Sequence, residues 1–83
     1  MKNFPTHLLT LTLPDDASVT VEVLDKLNRV VATPLDRQDL MRGTSAHALN
    51  SGFWASGVYT VRVRCAYHDG TTVYASSQLF ILK

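Results

Sequence analysis

Residues 56–65 read SGVYTVRVRC and, with Ala66 and Tyr67, predict the fold more clearly than any other stretch. Small residues lead into a segment that alternates with period two, which is typical of a β-strand with one buried face. The apolar face consists of Tyr59, Val61, Val63, Cys65 and Tyr67. The other face consists of Val58, Thr60, Arg62, Arg64 and Ala66. We therefore expect a long strand whose two arginines face water or a partner.

The residues that follow predict a long C-terminal hairpin. Residues 68–70, HDG, carry the Asp-Gly signature of a tight turn. Residues 71–83 then run back, and their presumed core face consists of Val73, Ala75, Ser77, Leu79 and Ile81. Tyr74, Phe80 and Leu82 fall on the opposite face. If these three side chains are exposed, they form an apolar stripe, which usually marks a protein contact.

Shorter strands are predicted ahead of this hairpin, separated by turn clusters. They are LLTLTL (8–13), VTVEVLD (19–25), RVVAT (29–33) and TSAHALN (44–50). The turn clusters are PDDAS (14–18) and DKLN (25–28). Residues 34–42, PLDRQDLMR, carry the only helix signals, and we expect a loop with one helical turn there.

Six or seven short antiparallel strands favour a β-sandwich formed by one domain over residues 1–83, with a small barrel as the competing fold. An apolar fraction of 46% argues against disorder. Cys65 is the one cysteine, so the chain has no internal disulfide. The thin core of so short a chain must be stable through packing alone or through association.

Charge gives no reason to expect nucleic acid or an anionic membrane as partner, because eight basic and seven acidic residues leave a net charge of +1. No apolar run approaches the roughly 20 residues of a membrane span. The N-terminal stretch reads as a strand rather than a signal peptide. We expect either a cytoplasmic or virion protein, or a fragment of an exported, secreted or surface protein whose signal lay upstream.

A pattern of turn and strand residues runs through most of the chain. It consists of Asp25, Leu27, Arg29, Val30, Val31, Gly57, Tyr59, Val61, Val63, Ile81, Leu82 and Lys83. From Val19 to Lys83 the chain resembles the C-terminal sorting domains of the Bacteroidetes type IX secretion system, with a weaker similarity to the immunoglobulin-like domain of flagellar hook-capping proteins. Asn28 stands where the family usually has glycine, and asparagine is the best replacement at positive φ. The resemblance implies an immunoglobulin-like sandwich without catalytic residues. It further implies that an outer-membrane translocon recognises the domain, which is then cleaved from its cargo.

The sequence gives only weak signals for a catalytic, metal-binding or phosphate-binding site. His7, His47 and His68 are far apart, and no Gly-x-Ser-x-Gly elbow or Gly-rich phosphate loop occurs. Cys65 alternates with core residues, so we expect a buried, unreactive thiol. We therefore expect no enzyme, no cofactor and no metal site.

The candidate residues are instead for protein interaction. They are Phe53, Trp54, Arg62, Arg64, Tyr74, Phe80, Leu82 and Lys83. Phe53 and Trp54 either plug one end of the sandwich, which we favour, or form an exposed anchor. Arg62 and Arg64 either pair across strands with acids such as Glu22, which we favour, or join Lys26 and Arg29 in a basic patch.

Three functions fit these features. The first is a non-catalytic interaction module recognised by secretion machinery. The second is a structural subunit of a virion, pilus or filament, which forms a homo-oligomer through sheet edges or an apolar outer face. The third is a carbohydrate-binding module that uses Trp54 and tyrosines.

Overall fold

The computed structural model describes residues 6–52 and 54–82, which form six β-strands in two antiparallel sheets. The strands are β1 (Thr6–Leu13), β2 (Ala17–Leu24), β3 (Val30–Leu40), β4 (Gly43–Asn50), β5 (Gly57–Tyr67) and β6 (Thr72–Ile81). One sheet has the order β1-β4 and the other β3-β2-β5-β6. The predicted all-β, antiparallel β-sandwich is confirmed.

The core lies between the two sheets and is centred on β2 and β5. These strands pair in unbroken register from Ala17 opposite Tyr67 to Leu24 opposite Thr60. Their inward residues are Val19, Val21, Val23, Tyr59, Val61, Val63 and Cys65, all of them buried. β1 and β4 cover them with Leu13 and Leu49, and Leu9 and Leu11 pack at the margin. The faces predicted from period two are thus confirmed for both central strands. Their inward valines are β-branched, and such side chains suit a pleated, buried surface.

The loop with a helical turn predicted for residues 34–42 is wrong. β3 continues through Pro34 to Leu40 as an edge strand of the larger sheet. An edge strand leaves one side of its backbone unpaired, so proline is tolerated there. The pairing of β3 with β2 shifts register three times, and Arg37 has a φ of 51°. Bulges of this kind break the strict alternation from which a strand is recognised in a sequence.

Two hairpin turns share one geometry. In the first, the Asp25 amide donates to the Arg29 carbonyl at 2.9 Å, and Asn28 has a φ of 62°. In the second, the Tyr67 amide donates to the Thr71 carbonyl at 2.8 Å, and Gly70 has a φ of 90°. Each loop therefore has three residues and ends in a left-handed residue. Both turn predictions are confirmed, including the tolerance of Asn28 for positive φ.

The small sheet covers only part of the large one. A groove of about 280 Å³ between β3 and β4, lined in part by Pro34 and Ala48, places β4 beside β3. β1 consequently lies toward β5, and no other described strand lies above the first part of β6. Val73, on the presumed core face, is 48% exposed, whereas Ile81 at the far end is 2% exposed. The expectation of a buried face along all of β6 is therefore wrong for its first half, Val73 to Ser77.

Candidate interaction surface

The outer face of the large sheet carries a short polar network. Glu22 and Arg62 are cross-strand partners, and Arg62 Nη2 donates to Glu22 Oε1 at 2.6 Å. Both side chains are partly exposed, so this ion pair contributes at most about 1 kcal/mol to stability. The favoured interpretation, cross-strand pairing with an acid, is confirmed for Arg62.

Arg64 is the less constrained of the two arginines. Its Nη2 lies 3.5 Å from Thr20 Oγ1, a long hydrogen bond, and among the described residues it forms no ion pair. Tyr74 is its cross-strand partner on β6, and that residue is 67% exposed. These side chains, together with Glu22 and Arg62, line a shallow groove of about 340 Å³. The groove combines a guanidinium group with an exposed aromatic ring, a combination that suits protein contacts.

Lys26 and Arg29, the other two residues of the alternative basic patch, lie at the first hairpin turn and do not line this groove. Arg29 Nε donates to Asp25 Oδ2 at 2.9 Å. Asp25 Oδ1 also accepts from the amides of Leu27 and Arg29, at 2.8 and 3.0 Å. These bonds, the amide of Arg29 first, lower the pKa of Asp25 below its ordinary value. Since Arg29 and Arg62 each pair with a carboxylate, the arginines do not form one basic patch.

The three residues of the expected apolar stripe are all exposed. Tyr74 is 67% exposed, Phe80 64% and Leu82 88%. Phe80 lies opposite Val58, which is also exposed. Ser76 and Gln78 stand between the two aromatic residues on the same face, so the stripe consists of two apolar positions with a polar centre.

Trp54 lies at one end of the sandwich and is half-buried against the core. Its ring centroid is 5.3 Å from that of Tyr59, and the two rings are tilted by 39°. The Tyr59 hydroxyl in turn donates to the Ala55 carbonyl at 2.6 Å, which fixes the loop over the core. This position matches the favoured end plug, while the remaining exposed part of Trp54 lines the groove between β3 and β4. Phe53 and Lys83 lie outside the described residues.

The edge of β6 is a feature that the sequence reasoning missed. The strand reads TVYASSQLFI, without a charged residue or proline, and it pairs with β5 without a register shift. The opposite edge of the same sheet, β3, carries Pro34, two aspartates, an arginine and three register shifts. Bulges, prolines and charges are the usual protection of an edge against further pairing. The absence of charge was visible in the sequence, but the edge position of β6 depends on strand order.

The side chains that could take part in catalysis or metal binding are dispersed or buried. Burial raises the pKa of the Cys65 thiol, which matches the expected buried, unreactive cysteine. His47 Nε2 lies 2.8 Å from Ser45 Oγ, and His68 is exposed in the second hairpin turn. Within residues 6–52 and 54–82, no three His, Cys, Asp or Glu side chains are grouped closely enough to hold a metal ion. The same part of the chain contains no helix that could cross a membrane.

Comparisons with known proteins returned no match: no family model, no curated protein and no solved structure is similar to this chain.

Proposed function

We propose that the chain is a non-catalytic protein-interaction module that binds its partner through β6 and the adjoining outer face of the large sheet. The observation that carries this proposal is the exposure of both faces of β6 from Thr72 to Gln78, together with the free edge of the strand. Tyr74, Phe80 and Leu82 supply apolar contact area, and Arg64 supplies a guanidinium group without an ion-pair partner among the described residues. Exposed aromatic and arginine side chains are enriched where proteins bind one another.

The first candidate partner is secretion machinery of the outer membrane. It is supported by the resemblance to type IX sorting domains and by two local features that fit it. Asn28 adopts the left-handed conformation at the position where that family has glycine. Leu82, which directly follows β6, is 88% exposed and so is accessible to a receptor.

Fusion of residues 1–83 to the C-terminal end of a periplasmic reporter protein tests this candidate in a bacterium with a type IX system. We expect the reporter at the cell surface or in the medium, and retention in a strain that lacks the translocon. Arg64→Ala with Tyr74→Ala should reduce export, whereas Arg37→Ala on the opposite edge strand serves as a matched surface control. Periplasmic retention of the unmodified fusion would refute the sorting function.

The second candidate is a structural subunit that associates with copies of itself, and the unprotected edge of β6 favours it. Such a subunit needs a surface that a copy of the same chain can complement. Light scattering coupled to size-exclusion chromatography at increasing concentration tests it, and a mass that stays at one chain throughout would refute it.

A further inference from the structure

The backbone of β6 offers a regular set of unpaired groups along its free edge. Tyr67 and Thr71 form a hydrogen-bonded pair at the base of the hairpin. Hydrogen-bonded and non-hydrogen-bonded pairs alternate in an antiparallel ladder, so the odd-numbered residues of β6 direct their amides and carbonyls to β5. The even-numbered residues direct theirs away from the sheet. They are Thr72, Tyr74, Ser76, Gln78 and Phe80.

We propose that β6 pairs antiparallel with β6 of a second copy, so that two four-stranded sheets join into one. This inference deepens the second candidate function and rests on the proposal that β6 is the contact surface. It names the partner, a second copy of this chain, and the register in which the two strands meet.

The side chains favour one register. Antiparallel partners share a face, so pairing must match even residues with even and odd with odd. With Ser77 opposite Ser77 of the second copy, Tyr74 lies opposite Phe80 of that copy, and the reverse pair repeats across the two-fold axis. Cross-strand aromatic pairs are among the most stabilising pairs in sheets. With Ser76 at the axis instead, Tyr74 would face Gln78 and Phe80 would face Thr72, and both aromatic pairs would be lost.

The incomplete cover of the large sheet leaves room for a second copy at the free edge of β6. The inner face of β6 is exposed from Val73 to Ser77, whereas Leu79 and Ile81 are covered. With Ser77 at the two-fold axis, the covered end of each copy lies beside the open end of the other, which leaves room for both copies among the described residues. The bulges and charges of β3 disfavour the remaining edge of the large sheet.

The contact area predicts a weak, reversible dimer. A strand of ten residues is about 33 Å long, and a sheet with its side chains is about 10 Å thick. The contact therefore covers roughly 330 Å² on each copy, or about 700 Å² in total, below the roughly 1,200 Å² of stable complexes. The pairing supplies about eight backbone hydrogen bonds, two for each of four hydrogen-bonded pairs. We expect a dissociation constant in the micromolar range or weaker.

Sedimentation equilibrium between about 5 µM and 1 mM covers this range of affinity. We expect the mass of the wild type to rise toward two chains. Ser76→Lys places a charge of each copy at the centre of the contact and should weaken dimerisation at least tenfold. Gln38→Lys adds the same charge to β3 and should leave dimerisation unchanged. Thermal unfolding of both variants at low concentration shows whether each one is folded.

Cysteine crosslinking tests the register. Ser77→Cys places two thiols at a non-hydrogen-bonded pair with a Cα separation of about 4.5 Å, within the range of disulfides. Oxidation by copper phenanthroline should crosslink this variant faster than Ser76→Cys, and the buried Cys65 should not react. Faster crosslinking of Ser76→Cys would overturn the register.

The result that overturns self-pairing is a wild type that stays monomeric at every concentration. If Ser76→Lys and Gln38→Lys changed the rise of the mass with concentration to the same extent, self-pairing would also be overturned. The export assay separates this failure from failure of the interaction function. A monomeric chain that still directs a reporter through the translocon overturns only the self-pairing. A monomeric chain whose reporter is also retained overturns both partner proposals.

Discussion

Two valines on the same face of one sheet test the incomplete cover of the large sheet. Val21 lies on β2 beneath the small sheet and is 0% exposed, whereas Val73 lies on β6 and is 48% exposed. Substitution by alanine removes the same atoms from each position. The difference in the free energy of unfolding therefore reports how well each side chain is covered.

The expected magnitudes follow from burial. Two buried methyl groups are worth about 1.6 kcal/mol of transfer free energy, and a residual cavity adds about 1 kcal/mol. Val21→Ala should therefore cost about 2–3 kcal/mol. Val73 is about half exposed and leaves no closed cavity, so Val73→Ala should cost about 0.8 kcal/mol. Alanine also has a lower strand propensity than valine, but this term acts on both variants and is largely removed by the comparison.

Urea denaturation with fitted m-values, at a protein concentration of a few micromolar where the proposed dimer is dissociated, measures both differences. In thermal unfolding, the Tm of Val21→Ala should lie about 5–18 °C below that of Val73→Ala, because the two costs differ by about 1.2–2.2 kcal/mol and 1 kcal/mol shifts a domain of this size by about 4–8 °C. Equal losses in the two variants would refute the reasoning. They would mean that the inner face of β6 is covered after all, and the steric argument for a second copy at β6 would fail with it.

Three further predictions concern the turns and the cysteine. Asn28→Ala should lower the free energy of unfolding by about 1–2 kcal/mol because alanine is strained at a φ of 62°, while Asn28→Gly should change it by less than about 0.5 kcal/mol. Urea denaturation checks both, with Lys26→Ala in the same loop as the control, and equal costs for the alanine and glycine variants would contradict the left-handed turn. The amide of Arg29 lowers the folded-state pKa of Asp25, so its contribution to stability is present above the ordinary value of 3.8 and is lost as the pH falls through the folded value. Asp25→Asn should therefore flatten the acid limb of a plot of stability against pH, and an unchanged acid limb would rule out this linkage. Burial raises the pKa of Cys65, so iodoacetamide should modify it roughly 100-fold more slowly in the native state than in urea, as followed by mass spectrometry, and equal rates would place the thiol at the surface.

The sequence predicted the fold where alternation is strict. β2 and β5 carry valines on one face and polar residues on the other, so their faces could be predicted, and so could the pairing of Arg62 with an acid such as Glu22. The extension of β3 through Pro34 could not, because its bulges shift the side chains out of period two. Strand alternation also gives no information about which sheet each strand joins. The exposure of Val73 and the free edge of β6 follow from that assignment, so the proposed contact surface was only partly predictable.

The residue types along β6 change where the inner face of the strand passes from exposed to buried. Leu79 and Ile81 pack at the covered end, whereas Ala75, Ser76 and Ser77 occupy the open part. A run of valines there would make the edge prone to aggregation, and a lysine would prevent pairing. Small, polar and uncharged residues do neither, because they lose little when exposed to water and oppose no partner strand by charge. The edge therefore suits the proposed pairing, which we expect to form and dissociate reversibly, with Tyr74 and Phe80 supplying its apolar contacts on either side of the polar centre.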